Sequence, residues 1–472
     1  MIPTPGDQRL FAAAQDDMRA GRWDEAVAKL EVLAAHEVRN GAGPSEAALR
    51  VPALIKRNTL FLALSQALIG AGMQVPYTLG PLIAVALTGS AGLSGLAISV
   101  LGLSRFLVAY PLGRIADTYG RKPGLQLGLT LGLVGTILVG LSILWGSFPA
   151  FLGALLLFSM GLSAIHQLRV AAADMYPPAR RGQALGWVLT GTVVGIFVTP
   201  ILVAAGQAVA ATSGLDPLAL PWLFTPVVIL PGMLCVALVR PDPRDIAARL
   251  EAYYPGYQPP PGRAAGGGSK VSIAAFVQDY PMLVAIVSNF CAYGNMSVVM
   301  VISSLVLAHH GHDLTAISLA LALHSAGMFA CSLPLGWLTD RFGRRAIMLP
   351  GGIIAALGAL LVVFSTAYWS ITLGTFLVGL GWSAVNVAAT VLITDRTRPF
   401  ERGSAIGLND SLGAIASLSV PLIVGPLAAA QGLASTGLLA VAMMVAPIGL
   451  LLALREPSPG VFGPTSAAGD PP

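Results

Sequence analysis

The chain contains twelve apolar stretches, each near the roughly 20 residues that a helix needs to cross the hydrocarbon core of a membrane. Clusters of Gly, Pro and charged residues separate these stretches. Only 10% of the 472 residues are charged and 55% are hydrophobic, so a water-soluble domain would lack the polar surface that it needs. The sequence therefore predicts an all-α membrane protein with twelve transmembrane helices.

The predicted spans, numbered 1 to 12 in chain order, form two sets of six. Spans 1 to 6 are predicted near 58–87, 92–112, 124–145, 149–172, 183–210 and 219–239, and spans 7 to 12 near 281–308, 314–337, 346–366, 369–393, 404–430 and 433–454. The predicted units are an N-terminal helical hairpin (1–56), a first half (57–239), a linker (240–280), a second half (281–454) and a disordered tail (455–472). We expect the Pro- and Gly-rich linker to carry one short solvated helix.

The positive charges indicate the orientation. Of the 27 Lys and Arg residues, eight precede span 1 and 17 more lie in alternate loops or the tail, whereas the opposite loops contain none. By the positive-inside rule, both termini and the linker are cytoplasmic. The sequence thus predicts a multi-pass protein of the cell membrane, the inner membrane if the source is bacterial. The basic composition reflects this topology, so we expect no nucleic-acid partner.

The N-terminal segment has apolar residues at helical spacing on both sides of Gly21. It resembles a single tetratricopeptide-type hairpin, which cannot bury its apolar face without neighbours. Docking on the bundle, docking on a partner protein and a disordered cap all remain open for this segment.

Two loop sequences are repeated at a constant offset. Residues 111–122, PLGRIADTYGRK, recur 223 positions later as PLGWLTDRFGRR at 334–345. Residues 174–186, DMYPPARRGQALG, recur 221 positions later as DRTRPFERGSAIG at 395–407. The chain therefore consists of two copies of a six-span unit in the same orientation.

The first repeated sequence, at 111–122 and 334–345, resembles the hallmark of the major facilitator superfamily of secondary transporters, Gly-x-Leu-x-Asp-x-x-Gly-Arg-Lys/Arg. The resemblance to this family covers about 57–454. The resemblance implies the fold of that family, with two pseudo-symmetric six-helix halves. It also implies a latch that joins the cytoplasmic ends of the halves in the outward-open state. The predicted cytoplasmic gate residues are Gly113, Asp117, Gly120, Arg121, Lys122, Arg169, Asp174, Arg181, Gly336, Asp340, Gly343, Arg344, Arg345, Asp395 and Arg402.

Polar side chains within the spans are candidates for a substrate cavity between the halves. Residues 66, 70, 73, 74 and 77 share one face of span 1, and the 223-residue offset carries this stripe to span 7. Amides in hydrocarbon are costly without partners, so they line a cavity or bind a neighbouring helix. The candidates are Gln66, Gln74, Tyr77, Arg105, His166, Asn289, Tyr293, Ser297, His324, Trp382 and Asn386.

Charged residues inside the spans are few. Arg105 lies about 12 Å from the cytoplasmic turn at 1.5 Å per residue and could face an anionic or carbonyl group of the substrate. Arg169 suits either an ion pair in the gate or a substrate contact. Proton coupling would require His166, His324 or Asp410, because no acidic residue other than Asp410 lies inside a span.

The remaining expectations concern chemistry and partners. The HHGHD sequence at 309–313 is more typical of a solvated turn than of a metal site, and no phosphate-binding loop motif is present. We expect no enzyme activity, no metal and no cofactor. The predicted function is efflux of a small-molecule substrate by alternating access through a monomeric unit in the lipid bilayer, with a coupling ion if transport is driven. Uptake by a symporter or facilitator, and a non-transporting sensor or scaffold, are the alternatives.

Overall fold

The computed structural model describes residues 50–177, 180–254, 278–397 and 402–454, and the single positions 13 and 257. Throughout these residues the secondary structure is helical, without strands. Eleven helices in this part of the chain are long and apolar enough to cross a membrane. The predicted all-α membrane fold is confirmed, whereas the N-terminal hairpin and the tail fall almost wholly outside the described residues.

The helices follow the predicted order of spans. Spans 1 to 6 comprise Ala53–Thr88, Ser94–Tyr119, Arg121–Leu144, Phe148–Asp174, Arg181–Ile196 with Val198–Ser213, and Leu220–Phe224 with Pro226–Leu238. Spans 7 to 12 comprise Tyr280–His309, Leu314–Phe329 with Ser332–Phe342, Arg344–Phe364, Tyr368–Arg396, Arg402–Gln431 and Leu433–Ala453. Span 2 is the continuous helix Ser94–Tyr119 and completes the twelve.

Proline divides spans 5 and 8 into two pieces. A proline has no N–H to bond the carbonyl four residues earlier, which is residue 196 for Pro200 and residue 330 for Pro334. The first pieces end at Ile196 and Phe329, at or next to these positions. Each span is therefore interrupted by a short non-helical step within its length.

The two repeated loops make the same sharp turn. Gly120 between spans 2 and 3 has φ 108°, and Gly343 between spans 8 and 9 has φ 96°. Side chains rarely adopt this backbone region, so glycine is required where one span ends and the next begins at once. The repeat predicted from the sequence is thus present in the backbone.

The spans pack as two bundles with distinct ends. In the first half span 1 packs against span 5 and span 3 against span 4, and in the second half span 7 packs against spans 10 and 12. We call the end with the Arg- and Lys-bearing loops the basic side and the opposite end the neutral side. Contacts between the halves join span 2 to span 11 and span 5 to span 8.

Large apolar side chains cover the outside of the bundle. Ile201 is 66% exposed, Val227 67% and Val445 64%, although all three lie in helices of high hydrophobicity. Such exposure would be unfavourable in water and is favourable against lipid chains.

The linker begins with an ordered segment on the first half, residues 240–254, which we call the linker brace. It contains two short helices, Pro243–Ala248 and Leu250–Tyr253. Ile246, Leu250 and Tyr254 are buried in a cluster with residues from the basic ends of spans 1, 3, 4 and 5. The predicted solvated helix is thus packed on one face, because these three side chains supply an apolar stripe.

Hydrogen bonds hold the ends of the linker brace. Arg57 Nη2 and Asn58 Nδ2 of span 1 donate to the Arg240 carbonyl at 3.0 and 3.1 Å. At the other end the Tyr254 hydroxyl donates to the Met175 carbonyl at 3.1 Å. The brace therefore crosses the basic side of the first half from span 1 to the end of span 4.

Candidate functional site

Two equivalent ion pairs lie at the basic side, one in each half. Arg121 Nε donates to Asp174 Oδ2 at 2.7 Å, and Arg344 Nη2 lies 2.7 Å from Asp395 Oδ2. Each pair joins the start of the third span of its repeat to the end of the fourth. The sequence analysis placed all four residues in the gate, and the structure brings them together within the halves.

The next basic residue of each repeat binds the last span of its own half. Lys122 Nζ donates to the Ala237 carbonyl at 2.6 Å, and Arg345 Nη2 donates to the Leu452 carbonyl at 3.1 Å. Cations favour the C-terminal end of a helix, where carbonyl groups lack internal partners. Spans 3 and 6, and likewise spans 9 and 12, are thereby tied at the basic side.

Asp242 of the linker brace adds an interaction that the sequence analysis missed. Its carboxylate accepts the backbone N–H groups of Arg121 at 3.0 Å and Lys122 at 2.9 Å, where span 3 begins after Gly120. A carboxylate at this position satisfies unpaired N–H groups and opposes the positive end of the helix dipole. Asp242 thus caps the N-terminal end of span 3 from the linker brace, outside the helix itself.

The other predicted gate residues are dispersed over the basic side. Arg169 and Arg181 are half-buried, and Arg181 Nε has no hydrogen-bond partner among the described residues. Asp340 is exposed, in the last turn of span 8 before Gly343. The side chains of Asp117 and Arg402 lie outside the described part of the structure, as does the environment of Gly113.

Close backbone contact joins the halves towards the neutral side. A Cβ atom added at Gly95 of span 2 would overlap the Pro421 carbonyl oxygen of span 11. One added at Gly102 would lie 2.7 Å from the Leu418 backbone nitrogen. Only glycine allows spans 2 and 11 to approach this closely.

A polar contact joins the halves at the same side. The backbone N–H of Thr315, at the start of span 8, donates to Gln207 Oε1 of span 5 at 3.1 Å, and the Thr315 hydroxyl donates to the same oxygen. The interrupted spans 5 and 8 therefore meet where their neutral-side pieces lie. In this conformation the neutral side is the closed side of the interface.

In the first half the predicted cavity residue Gln66 contacts a neighbouring span. Its Nε2 donates to Thr192 Oγ1 of span 5 at 3.0 Å. Gly191 and Gly195 allow this approach, because a Cβ atom on either would overlap a span 1 carbonyl oxygen. Gln66 thus faces the contact between spans 1 and 5.

Gln74 lies where the two halves meet near mid-membrane. Its Nε2 donates to the Ser325 hydroxyl of span 8. The adjacent His324 is fully buried, and its Nδ1 bonds the Thr375 carbonyl of span 10 at 2.6 Å. Since a carbonyl oxygen only accepts, Nδ1 carries a hydrogen, and Nε2 has no partner among the described residues.

The second half brings four predicted residues into one cluster. Asn386 Nδ2 of span 10 donates to Asn289 Oδ1 of span 7 at 2.8 Å. One helical turn away, the rings of Tyr293 and Trp382 pack edge to face with centroids 5.2 Å apart. Ser297, one turn further along span 7, is buried.

Asn409 of span 11 belongs beside this cluster and was missed by the sequence analysis. It is 1% exposed, and neither of its amide atoms has a partner among the described residues. Four residues later Gly413 lies against the Tyr293 ring. The argument that selected Asn289, an amide inside a span, would also have selected Asn409.

The remaining candidates differ in position. Tyr77 is half-buried on span 1, and Asp410 is exposed on span 11. The side chains of Arg105 and His166 lie outside the described residues. No cluster of His, Cys, Asp or Glu suited to a metal ion occurs in the described part of the chain.

Sequence comparison identifies a family and relatives that match about three quarters of the chain. The model described as Major Facilitator Superfamily matches residues 62–256 and 285–471. The uncharacterized MFS-type transporter YdeG of Bacillus subtilis is 29% identical over 368 residues, covering 77% of this chain and 83% of that protein. The riboflavin transporter RfnT of Brucella anthropi is 27% identical over 363 residues, covering 75% of this chain and 85% of that protein.

Solved structures show the same fold. A bacterial homologue of the human lysosomal transporter Spinster, inward-facing and unoccupied, superposes with a TM-score of 0.65 at 16% identity. The match covers 86% of this chain and 97% of that chain. The nucleoside transporter NupG superposes with a TM-score of 0.62 at 13% identity, covering 85% of this chain and 98% of its own.

Proposed function

Because the chain belongs to the major facilitator superfamily, whose members are non-enzymatic membrane transporters, we propose that it exports a small solute by alternating access. The two six-helix halves rock about a site between them, which opens to one side of the membrane at a time. The absence of a phosphate-binding loop motif from the sequence supports a secondary transporter. The resemblance of the repeated loops to this family supports export.

The observation that carries this proposal is the position of the contacts between the halves. Spans 2 and 11 touch through Gly95 and Pro421, and spans 5 and 8 through Gln207 and Thr315. In the described part of the basic side, the Arg121–Asp174 and Arg344–Asp395 ion pairs each lie within one half. An interface closed towards one side is what one of two alternating states requires.

The orientation follows from charge. We place the basic side and both termini in the cytoplasm, because the neutral side has no Lys or Arg in its loops. The membrane is the cell membrane, which is the inner membrane if the source is bacterial. In the opposite state the repeated Gly, Asp and Arg clusters would meet and latch the halves. Coupling to protons, if present, falls to His166, His324 or Asp410.

Riboflavin is the first solute to test. A relative covering 75% of this chain is named as a riboflavin transporter. Purified protein in vesicles should move labelled riboflavin, and comparing inside-out with right-side-out vesicles separates export from uptake. A non-transporting sensor would move no solute in either vesicle orientation.

Cross-linking the neutral side tests the mechanism. In a chain whose three native cysteines are replaced by alanine, Gln207→Cys with Thr315→Cys should form a disulfide on oxidation and stop solute movement. Reduction should restore movement, and Gln207→Cys alone is the matched control. Wild-type transport by the fully oxidised double variant would show that the halves need not separate there.

A further inference from the structure

We propose that the solute is a planar, uncharged heterocycle with an imide or amide edge, and that its ring binds in a corner between spans 7, 10 and 11. The corner consists of Asn289, Tyr293, Trp382, Asn386 and Asn409. This inference rests on the proposed transport function and gives it a substrate class.

Spans 7 and 10 run antiparallel, and their side chains form the corner in two layers. Stepping four residues forward from Asn289 reaches Tyr293, and stepping four residues back from Asn386 reaches Trp382. The two contacts between these spans are the 2.8 Å hydrogen bond between the amides and the edge-to-face ring pair, whose centroids lie 5.2 Å apart. The corner therefore has an amide layer nearer the basic side and an aromatic layer one turn deeper.

Span 11 supplies the third wall. A Cβ atom at Gly413 would lie 2.7 Å from the Tyr293 ring, so this helix touches the aromatic layer directly. Asn409 precedes Gly413 by one turn, on the same face and towards the basic side. Its amide thus lies at the level of the amide layer formed by Asn289 and Asn386.

Unpaired hydrogen-bonding atoms indicate what the corner binds. Asn289 Nδ2, Asn409 Nδ2 and Trp382 Nε1 are buried donors without partners among the described residues, and Asn409 Oδ1 is an acceptor in the same condition. Asn289 is 0% exposed and Trp382 9%. Burial of such groups is unfavourable unless water or a ligand supplies the missing bonds.

The types of these unpaired atoms, three donors and one acceptor, suit an imide edge. An imide presents an acceptor, a donor and an acceptor in one plane, and these can pair with amide N–H groups and an amide oxygen. The aromatic layer offers ring surfaces to a flat molecule. None of the five side chains is charged, so a charged ring would lose its hydration without compensation.

The first half cannot form the same corner. At the offsets of 223 and 221, Tyr293 corresponds to Gly70 and Trp382 to Gly161. Gly70 lies close to the Thr192 and Gly195 backbone, and a Cβ atom at Gly161 would overlap the Gly132 backbone. Helix packing fills the equivalent space in the first half. The corner in the second half therefore has no counterpart at the equivalent positions of the first.

Ligand-induced thermal stabilisation of the full-length protein in detergent tests the proposal. The imide probes are riboflavin, lumichrome, uridine and thymine, and the comparison probes are 3-methyluridine, ribitol and succinate. We expect imide probes to raise the melting temperature with concentration, and the comparison probes, which lack the imide N–H or the ring, to leave it unchanged. The proposal is overturned if only the comparison probes stabilise the protein, or if no imide probe stabilises it.

Variants locate the site. Asn409→Leu should weaken binding of the stabilising probe by about tenfold or more, and Trp382→Phe, which keeps a ring but loses the N–H, by less. Asn295→Leu is the matched control, because Asn295 is a buried amide of span 7 that donates to the Ala440 carbonyl of span 12, away from the corner. Unchanged affinity in Asn409→Leu would place the ligand elsewhere.

This binding test is independent of the transport test. If the cross-linked protein stops transporting but no imide probe binds, only the substrate class is wrong. If imide probes bind in the corner but reconstituted protein moves no solute, the transport proposal fails while the binding site remains.

Discussion

Asp242 shows how much one side chain contributes to the basic side. It accepts two backbone N–H groups of span 3 and that of Arg244 at 2.8 Å. Asp242→Ala should lower the free energy of unfolding by about 2 kcal/mol, because it removes charge-assisted bonds at a helix start. Thermal unfolding in detergent measures this, with exposed Asp245→Ala as the control; equal effects of the two substitutions would contradict the capping role.

Tyr254 should make stability sensitive to alkaline pH. Burial raises the pKa of its phenol above the ordinary value of about 10, and the nearby Tyr176 phenol raises it further. The unfolded chain then loses the proton at lower pH than the folded chain, so stability declines as pH rises above about 10.

Replacing the phenol tests this directly. Tyr254→Phe should lose less stability than wild type between pH values of about 8 and 10.5, measured as the melting temperature. Tyr253→Phe, at the neighbouring half-buried position, is the control. The same decline in Tyr254→Phe as in wild type would assign the alkaline sensitivity to another group.

The sequence predicted which residue types belong to the site, but not which residues each of them contacts. Amides and aromatic residues inside spans are costly enough to be noticed in sequence, which selected Asn289, Tyr293, Trp382 and Asn386. Which helix each one contacts depends on packing between distant segments. Gln66 shows the difference, since glycines of span 5 bring Thr192 to it.

Among the helices, spans 2 and 11 should control closure of the neutral side. Gly95→Val should keep these spans apart and hold the neutral side open, because even a Cβ atom would overlap the Pro421 carbonyl. We expect little transport and easier labelling of cysteines placed at Gln207 or Thr315. Gly153→Val, at an exposed helical glycine with open space around it, is the control, and wild-type transport by Gly95→Val would refute this role.

Helix order was predictable from sequence, but helix continuity and the linker were not. The twelve apolar stretches and the two loop copies predicted the spans, since length and charge alone decide which segments suit lipid. The interruptions of spans 5 and 8 follow from Pro200 and Pro334, whose effect was not used in predicting those spans. The packed linker brace was missed because Ile246 and Leu250 lie in a segment rich in charge, Pro and Gly.

For the molecule as a whole, the arrangement of charges suits movement of one half against the other. The Arg121–Asp174 and Arg344–Asp395 pairs stay within their own halves, so rocking would not break them. The twofold organisation was predictable because the loop sequences repeat. Which side is closed was not, since a chain that alternates must be compatible with both arrangements.

The linker brace has a practical consequence for dividing the chain. Because Asp242 and Tyr254 complete the first half, a two-polypeptide version should be cut after residue 257. A cut at the end of span 6 would leave the start of span 3 uncapped and expose the apolar cluster beneath Ile246 and Leu250. The boundary between the two moving bodies therefore lies beyond the last membrane helix of the first one.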